Sequence, residues 1–198
     1  MSKGEQTRER ILAQAAQLFN QQGYFGSSLS DIMQETGLEK GGIYNHFASK
    51  EQLALEAFDY AIHVIDQRLH LALTGKTNAV DRLLAFLSYF QSYAEEDPPL
   101  VGGCPILNTA IEADDAHPVL RDRARSAMDD LRATIRRITT KGIARQEIRP
   151  DVDPDACATI FVATLEGALM LSKLYQDPVH IYRAVKHLTG YIQTALQA

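Results

Sequence analysis

The sequence predicts an all-α fold of about nine helices. Apolar residues recur three and four positions apart along most of the chain, which is the spacing that places side chains on one face of a helix. Sustained period-two alternation and the Asn-Gly or Asp-Gly pairs typical of β-hairpins are absent from the sequence. With 198 residues, 45% of them hydrophobic, the chain is long enough to bury a sizeable core without disulfides or structural metals.

Two helices are predicted in the first part of the chain. The first runs from about Gln6 to Gln22, with Gly23 placed where a left-handed C-terminal cap belongs. The second lies in "SLSDIMQETG", where Ser28 can cap the helix and Asp31 can return the hydrogen bond. Gly37 is expected to end this second helix.

A third short helix, predicted over 40–47, follows a glycine-containing turn, and a longer fourth helix follows it. Ser49 and Gln52 form a capping-box pattern at the start of the fourth helix, which should reach about Leu73. Two short helices separated by a turn of about three or four residues are typical of a helix-turn-helix.

The remainder predicts a larger helical body. Its helices are expected near 78–96, 105–113, 118–146, 154–175 and 178–196. The helix over 154–175 is apolar nearly all round, so it needs partners on more than one side. The last two helices either complete a monomer core or pair with their copies across a two-fold axis.

Composition excludes several classes of protein. The net charge of −5 argues against a chain coated with basic surface, so any contact with DNA must be local. The start "MSKGEQTRERILAQAAQLF" is charged and amphipathic, unlike a signal peptide, and no stretch of eighteen apolar residues follows. Cys104 and Cys157 are far apart and give no disulfide framework. A soluble cytoplasmic protein without a membrane partner is therefore expected.

The stretch "GLEKGGIYNHFASKEQL" carries the chemistry expected of a recognition helix. In a helix-turn-helix, the N-terminal residues of the second helix approach base edges, where Gly41 and Gly42 remove side-chain bulk. Ile43 and Phe47 are expected to point inward. The alternative is a small structural hairpin with solvated polar residues. Two glycines weaken a helix by about 1 kcal/mol each relative to alanine, so this alternative is disfavoured.

These residues closely resemble the N-terminal DNA-binding domain of the TetR family of bacterial one-component transcriptional regulators. The family pattern appears here as Ser28, Gly37-Leu38, Lys40-Gly41, Tyr44-Asn45-His46-Phe47 and Ser49-Lys50-Glu51. The resemblance covers about a quarter of the chain, and the remainder agrees with the family only in length and helicity.

The resemblance implies a homodimer, usually a repressor, that binds a palindromic operator and is released by a small molecule. It implies a helix-turn-helix domain over 1–48 and a helical effector-binding and dimerisation domain over 49–198, with dimer contacts through the helices at 154–175 and 178–196. The implied phosphate-contacting positions are Ser28, Tyr44, His46 and Lys50, and the implied groove-facing positions are Lys40, Gly41, Gly42 and Asn45. Glu39 departs from the small residue common in the family, and it either accepts from cytosine N4 or caps the helix.

Candidates for the effector pocket come from the sequence alone. They are Phe86, Phe90, Tyr93, Cys104, Asn108, Glu112, Phe161 and Met170. Each is more readily explained as ordinary core than as a ligand contact, because aromatic stripes at helical spacing are typical of cores. Asn108 and Glu112, one turn apart, are a polar pair that could orient a ligand.

Cys104 supports an alternative regulator. Pro105 suits the first position of a helix, which places Cys104 at the N-cap, where the helix dipole lowers a thiol pKa. A redox- or electrophile-sensing regulator acting through Cys104 is therefore the alternative function, and a small buried residue in a tight turn is the structural explanation.

No enzyme, cofactor or metal site is predicted. The "GKT" at 75–77 lacks the earlier glycine of a phosphate loop. The cluster "EADDAHP" fits a helix end followed by a proline better than a metal site. No Ser/His/Asp or Cys/His set stands out by its spacing.

Overall fold

The computed structural model describes residues 2–198 and contains nine α-helices within that range. They are α1 (Lys3–Gln22), α2 (Leu29–Thr36), α3 (Lys40–Tyr44), α4 (Lys50–Leu73), α5 (Ala79–Gln91), α6 (Pro105–Ala113), α7 (Pro118–Ala144), α8 (Pro154–Tyr175) and α9 (Val179–Tyr191). The described residues include no β-strand, only an isolated antiparallel bridge between Ile148 and Gln197. The all-α prediction is confirmed.

The predicted bounds of α6 and α8 and the predicted ends of α1 and α4 agree with the structure, whereas the ends of α3, α5, α7 and α9 were placed too late. The α-helix α3 ends at Tyr44 because the His46 N–H bonds to the carbonyl of Ile43, three residues back, which tightens the last turn. The segment after α5 is 3₁₀-helical over Ser92–Ala94, and the segment after α9 is π-helical over Ile192–Leu196. Periodicity in the sequence does not distinguish these turns from α-helix.

The second helix is capped as predicted. The Asp31 N–H donates to Ser28 Oγ at 3.2 Å, and the Ser28 N–H donates to Asp31 Oδ2 at 2.6 Å. Hydrogen bonds from Ser28 lower the pKa of Asp31, so this stabilisation is present at neutral pH and is lost as the pH falls through the lowered pKa. Gly37 ends α2 in the left-handed conformation, with φ +64°.

Two other predicted caps differ in detail. Gly23 follows α1 with φ +82° and ψ 162°, which is not the left-handed helical cap that was expected. The Gln52 N–H donates to Ser49 Oγ at 3.0 Å as predicted. The Gln52 side chain, however, accepts from the Ala48 N–H at 2.7 Å, whereas a capping box would require it to accept from the Ser49 N–H.

The chain divides into two compact units. The first holds residues 2–65 and 100–124. In it, α1 contacts α2 and α6, and α2 contacts α3. Its core is formed by fully or almost fully buried apolar side chains, among them Ile11, Ala15, Ile32, Ile43, Phe47, Leu53 and Ala57. Helices α2 and α3 are therefore supported by one continuous apolar core.

The second unit holds residues 66–99 and 125–198. Here α9 packs against both α8 and α5. Helix α8 also has the length and mean hydropathy, 1.5, of a membrane span, with 44% of that window buried in the protein. Core helices of folded proteins share these values.

One glycine of α7 leaves no room for a side chain. A Cβ at Gly142 would lie 2.6 Å from the Cβ of Ala79 and 2.7 Å from the Cδ1 of Ile148. We expect Gly142→Ala to lower the free energy of unfolding by about 1–3 kcal/mol through overpacking, as measured by urea denaturation followed by circular dichroism. Gly4→Ala is the control, because its Cβ would meet nothing nearer than Ser2 Oγ at 4.0 Å. Equal midpoints for the two variants would contradict the tight contact.

Candidate DNA-binding site

The two glycines of α3 are not required by packing inside the protein. A Cβ on Gly41 would meet no atom within 4 Å, and one on Gly42 would only touch the Leu38 side chain at 3.5 Å. On the opposite face Ile43 and Phe47 are both 1% exposed, as predicted. The glycines therefore leave the outer face of α3 open to the close approach of another molecule.

The outer face of α3 carries polar side chains. Lys40, Tyr44 and Asn45 are exposed and His46 is half-buried. The Lys40 ammonium lies 5.7 Å from the centroid of the Tyr44 ring, at cation–π distance. Glu39 occupies the N-cap position, but its side chain makes no capping hydrogen bond, so the capping explanation for Glu39 is wrong. This face combines positive charge, hydrogen-bond donors and exposed backbone.

Ser28 and Lys50 are engaged within the protein. The Ser28 hydroxyl accepts from the Asp31 N–H and lies 2.6 Å from Asp31 Oδ2. Lys50 Nζ donates to the carbonyl of Tyr24 at 2.6 Å and lies 4.3 Å from the centroid of the Tyr24 ring. Burial lowers the pKa of Lys50, and the carboxylates of Glu112 and Asp31 oppose this shift. The phosphate contacts of Ser28 and Lys50 remain predictions. To bind phosphate, the Ser28 hydroxyl and the Lys50 ammonium would have to share or exchange their present hydrogen-bond partners, Asp31 and the Tyr24 carbonyl.

The turn after α1 is held by a carboxylate of α6. Glu112 accepts the Tyr24 N–H at 2.9 Å and the Phe25 N–H at 2.8 Å, one with each oxygen. The rings add to this contact, since Tyr24 packs edge-on against His117 with centroids 5.2 Å apart. Two consecutive backbone donors thus find acceptors on a single side chain.

A second set of hydrogen bonds joins the end of α1 to α6. Asn108 Nδ2 donates to the Asn20 carbonyl at 3.1 Å and to Asn20 Oδ1 at 2.9 Å. Asn20 in turn donates to the carbonyls of Val101 and Gly103 at 2.8 and 2.9 Å. We call Asn20, Asn108 and Glu112 the α6 clamp. Within the first unit, the clamp joins two parts of the chain. One is the end of α1 with the turn that leads into α2, and the other is α6 with the loop before it.

Comparison with known proteins identifies the family. The model of the N-terminal domain of the bacterial regulatory proteins of the tetR family matches residues 11–57, and that of the tetracyclin repressor-like C-terminal domain matches 79–188. The chain belongs to the TetR family of transcriptional regulators. A crystal structure of a TetR regulator from Chloroflexus aurantiacus is 55% identical, with a TM-score of 0.96, covering 100% of this chain and 99% of the other.

Two curated TetR-family relatives extend this comparison. The HTH-type transcriptional regulator LmrA of Bacillus subtilis is 30% identical over 176 residues, covering 87% of this chain and 88% of its own. The transcriptional repressor NemR of Escherichia coli K12 is 27% identical over 195 residues, covering 95% and 94%. The match to the TetR DNA-binding model spans α2 and α3, so these helices form the helix-turn-helix of this TetR-family chain.

Three of the predicted effector-pocket residues of this TetR-family chain lie in the first unit. Asn108 and Glu112 were expected to orient a ligand, but in this structure their polar atoms hold the end of α1 and the following turn. These partners could not be identified from the sequence, because 88 positions separate Asn108 from Asn20 along the chain. A narrow cavity of about 30 Å³ lies beside Glu112 and has room for a water molecule or two, but not for an effector.

The other five predicted pocket residues lie in the second unit. Phe86, Phe90 and Phe161 are at most 1% exposed, and the Phe90 ring centroid lies 5.2 Å from that of Phe86 and 6.1 Å from that of Tyr93. Met170 is 46% exposed on α8, and its contact with an effector remains a prediction. Phe86, Phe90 and Tyr93 form one aromatic cluster, whereas the Phe161 ring contacts that of Tyr191, and the contact of all four with an effector remains a prediction.

Cys104 occupies the N-cap of α6, as predicted, and is 4% exposed. Neither cysteine forms a disulfide, and burial raises the pKa of the Cys157 thiol. The burial of Cys104 restricts access to oxidants and electrophiles, so its sensing role remains a prediction. Residues 2–198 contain no cluster of three or more His, Cys, Asp or Glu side chains placed to hold a metal.

The α6 clamp makes a testable contribution to stability. In Glu112→Gln, the amide offers one oxygen and one NH₂ group to two backbone donors, so one N–H loses its acceptor. We expect the free energy of unfolding to fall by about 1–3 kcal/mol in urea denaturation. Asp114→Asn is the matched control, since Asp114 is exposed and its side chain lies outside the clamp. Equal losses in the two variants would show that charge, not hydrogen bonding, is responsible.

Proposed function

We propose that this TetR-family protein is a homodimeric repressor that binds a palindromic operator through α2 and α3 and leaves it when a small molecule binds. The observation that carries the DNA-binding part is the open outer face of α3, where two glycines have no packing role within the protein. The proposal divides the chain into a DNA-binding domain over 1–48 and an effector-binding and dimerisation domain over 49–198. A regulator of this kind acts in the cytoplasm and needs no cofactor.

Two kinds of contact are proposed on the outer face of α3. Lys40 neutralises a phosphate, which raises affinity for every sequence. Asn45 reads a base edge in the major groove, where a side-chain amide pairs with adenine N6 and N7. The first-turn N–H of Gly41 approaches a phosphate without hindrance from a side chain. Glu39, with no capping role, is left to accept from cytosine N4.

The partner copy is proposed to cover an exposed apolar stripe on α8. The stripe comprises Ala156, Ile160, Ala163, Gly167, Met170 and Leu174, which recur at spacings of three and four. Ile160, Met170 and Leu174 are 41%, 46% and 69% exposed. Contiguous apolar surface of this kind marks an interface, and the small residues at its centre permit close approach of a second helix. Tyr182, 42% exposed, adds apolar area on α9.

Release is proposed to follow from a change in the α6 clamp and α4. Two recognition helices must match half-sites about 34–36 Å apart, so a small reorientation of each helix-turn-helix weakens binding. An effector that binds better to the mismatched conformer by about 2–3 kcal/mol suffices for substantial release. Because Glu112 holds the backbone of Tyr24 and Phe25, a shift of α6 reaches the segment that leads into α2.

Sequence-specific binding is the first test of this function. Fluorescence anisotropy with DNA flanking the gene, in about 150 mM salt with excess nonspecific competitor, should give a Kd near 10⁻⁸ M or tighter. If binding only tracks the salt concentration and disappears under competition, selection from random sequences decides whether any operator exists. Failure of that selection would overturn the proposal.

Variants of α3 test the two kinds of contact. Lys40→Ala should weaken binding to all sequences and reduce the slope of log K against log salt by about 1. Asn45→Ala should cost about 1–3 kcal/mol on the preferred site and relax the preference at one base position. Arg125→Ala, which removes a charge outside the helix-turn-helix, is the control for both. Identical sequence profiles for Lys40→Ala and Asn45→Ala would contradict the assigned roles.

The proposed dimer interface is tested by placing a large side chain at Gly167, in the middle of the apolar stripe of α8. A Cβ on Gly167 meets no atom of its own chain within 4 Å, so Gly167→Leu should leave the fold of each chain intact while separating the two α8 helices. We expect light scattering after size exclusion to shift from dimer to monomer, with loss of operator binding. Gly4→Leu places the same side chain at an open position of α1 and should remain dimeric. A dimeric Gly167→Leu protein would move the interface elsewhere.

A further inference from the structure

The second unit contains a concave pocket in which positive charge is concentrated. It has a volume of about 350 Å³ and is formed by the turn after α4, the start of α5, the C-terminal part of α7 and the turn that follows. Its charged lining consists of Lys76, Arg82, Arg137, Lys141, Arg145 and Glu147. Five cations thus face one carboxylate in a chain whose net charge is −5. Such a cluster of like charges is favourable when an anion lies among them.

The backbone holds two of the guanidinium groups in place without neutralising them. Arg82 donates to the carbonyl of Lys76 at 3.1 Å, and Arg145 donates to the carbonyl of Thr77 at 3.0 Å. A guanidinium has five N–H donors, so each retains several for a ligand. Lys76 and Lys141 are exposed at the rim of the pocket. The pocket therefore offers fixed planar donors together with mobile point charges.

Glu147 shows that one position in this pocket already accommodates an anion. Its Oε2 accepts the Ala79 N–H at 2.7 Å, at the N-terminus of α5. The N-terminus of a helix favours a negative group because of its free N–H donors and its dipole. One carboxylate leaves four of the five positive charges of the lining unbalanced. Asp81, the acidic residue in the first turn of α5 itself, is exposed and does not line the pocket.

We propose that this pocket binds a small, multiply charged phosphate anion of the pyrophosphate or nucleoside polyphosphate class. Several arginines and lysines around one concave site match the geometry and charge of phosphate oxygens, which accept bidentate contacts from guanidinium groups. The volume lies at the lower end of the range for small-molecule sites, about 300–1,000 Å³. A confined pocket suits a compact anion better than it suits the extended backbone of duplex DNA. This assignment is independent of the role of α3.

The test is isothermal titration calorimetry of the full chain with inorganic pyrophosphate in about 150 mM salt. We expect saturable single-site binding that sulfate at matched ionic strength does not reproduce. Lys76→Ala combined with Lys141→Ala should weaken binding more than about tenfold, since two charge-assisted contacts are lost. Both side chains are exposed, so this variant should fold normally. Arg125→Ala removes one charge from α7 outside the pocket and should leave the affinity unchanged.

A second variant tests how the negative charge of Glu147 affects the affinity of the pocket for pyrophosphate. Glu147→Gln removes the one negative charge of the pocket lining, so repulsion of the anion falls and pyrophosphate should bind several-fold more tightly. Absence of saturable binding to the wild-type chain would overturn the proposal, as would equal weakening by Arg125→Ala. If duplex DNA of arbitrary sequence competes with pyrophosphate, and the double lysine variant abolishes this competition, the pocket is part of a nucleic-acid surface and the proposal fails.

Discussion

The two hydrogen bonds from Tyr24 and Phe25 to Glu112 are the constraint on which the DNA-binding half of the first unit depends. A sharp turn after α1 directs two backbone N–H groups the same way, and one carboxylate satisfies both. The geometry demands glycine nearby: a Cβ at Gly23 would lie 2.5 Å from Glu112 Oε1, and one at Gly102 would lie 2.8 Å from the Asn20 carbonyl oxygen. The hydrogen bonds of the α6 clamp therefore require the close backbone approach that only glycine permits at positions 23 and 102.

The buried face of the helix-turn-helix explains how its outer face remains available. Phe47 and Ile43 anchor α3, and the Arg8 guanidinium lies 4.7 Å from the centroid of the Phe47 ring while pairing with Glu56 of α4. Because these contacts fix the inner face of α3, its outer side chains are not needed for packing within the protein. A rigid support under a small, polar and glycine-rich surface is what major-groove recognition requires.

Local features could be predicted from the sequence because their causes lie within a few residues. The Ser28–Asp31 capping box, the end of α2 at Gly37 and the bounds of α6 are all encoded by short patterns. The 3₁₀ and π turns were missed because they share the apolar spacing of α-helix. The exposure of Met170 was missed because an apolar residue on a core helix looks the same whether it faces its own chain or solvent.

Long-range contacts of the candidate site could not be predicted. Lys50 meets the carbonyl of Tyr24 across 26 positions, and Glu112 meets the N–H of the same residue across 88. No periodicity or motif connects such pairs, because the fold alone brings them together. The sequence therefore indicated the helix-turn-helix, whereas the hydrogen bonds of Glu112 and Asn108 within the first unit became visible only in three dimensions.

The most direct measurement of this central constraint is backbone amide hydrogen exchange of Tyr24 and Phe25 by NMR, in the wild-type chain and in Glu112→Gln. We expect both amides to be strongly protected in the wild type, and the variant to lose protection at these two positions while the Ile32 amide within α2 stays protected. Rapid exchange of Tyr24 and Phe25 in the wild type would show instead that the Glu112 carboxylate does not hold the turn that leads into the helix-turn-helix.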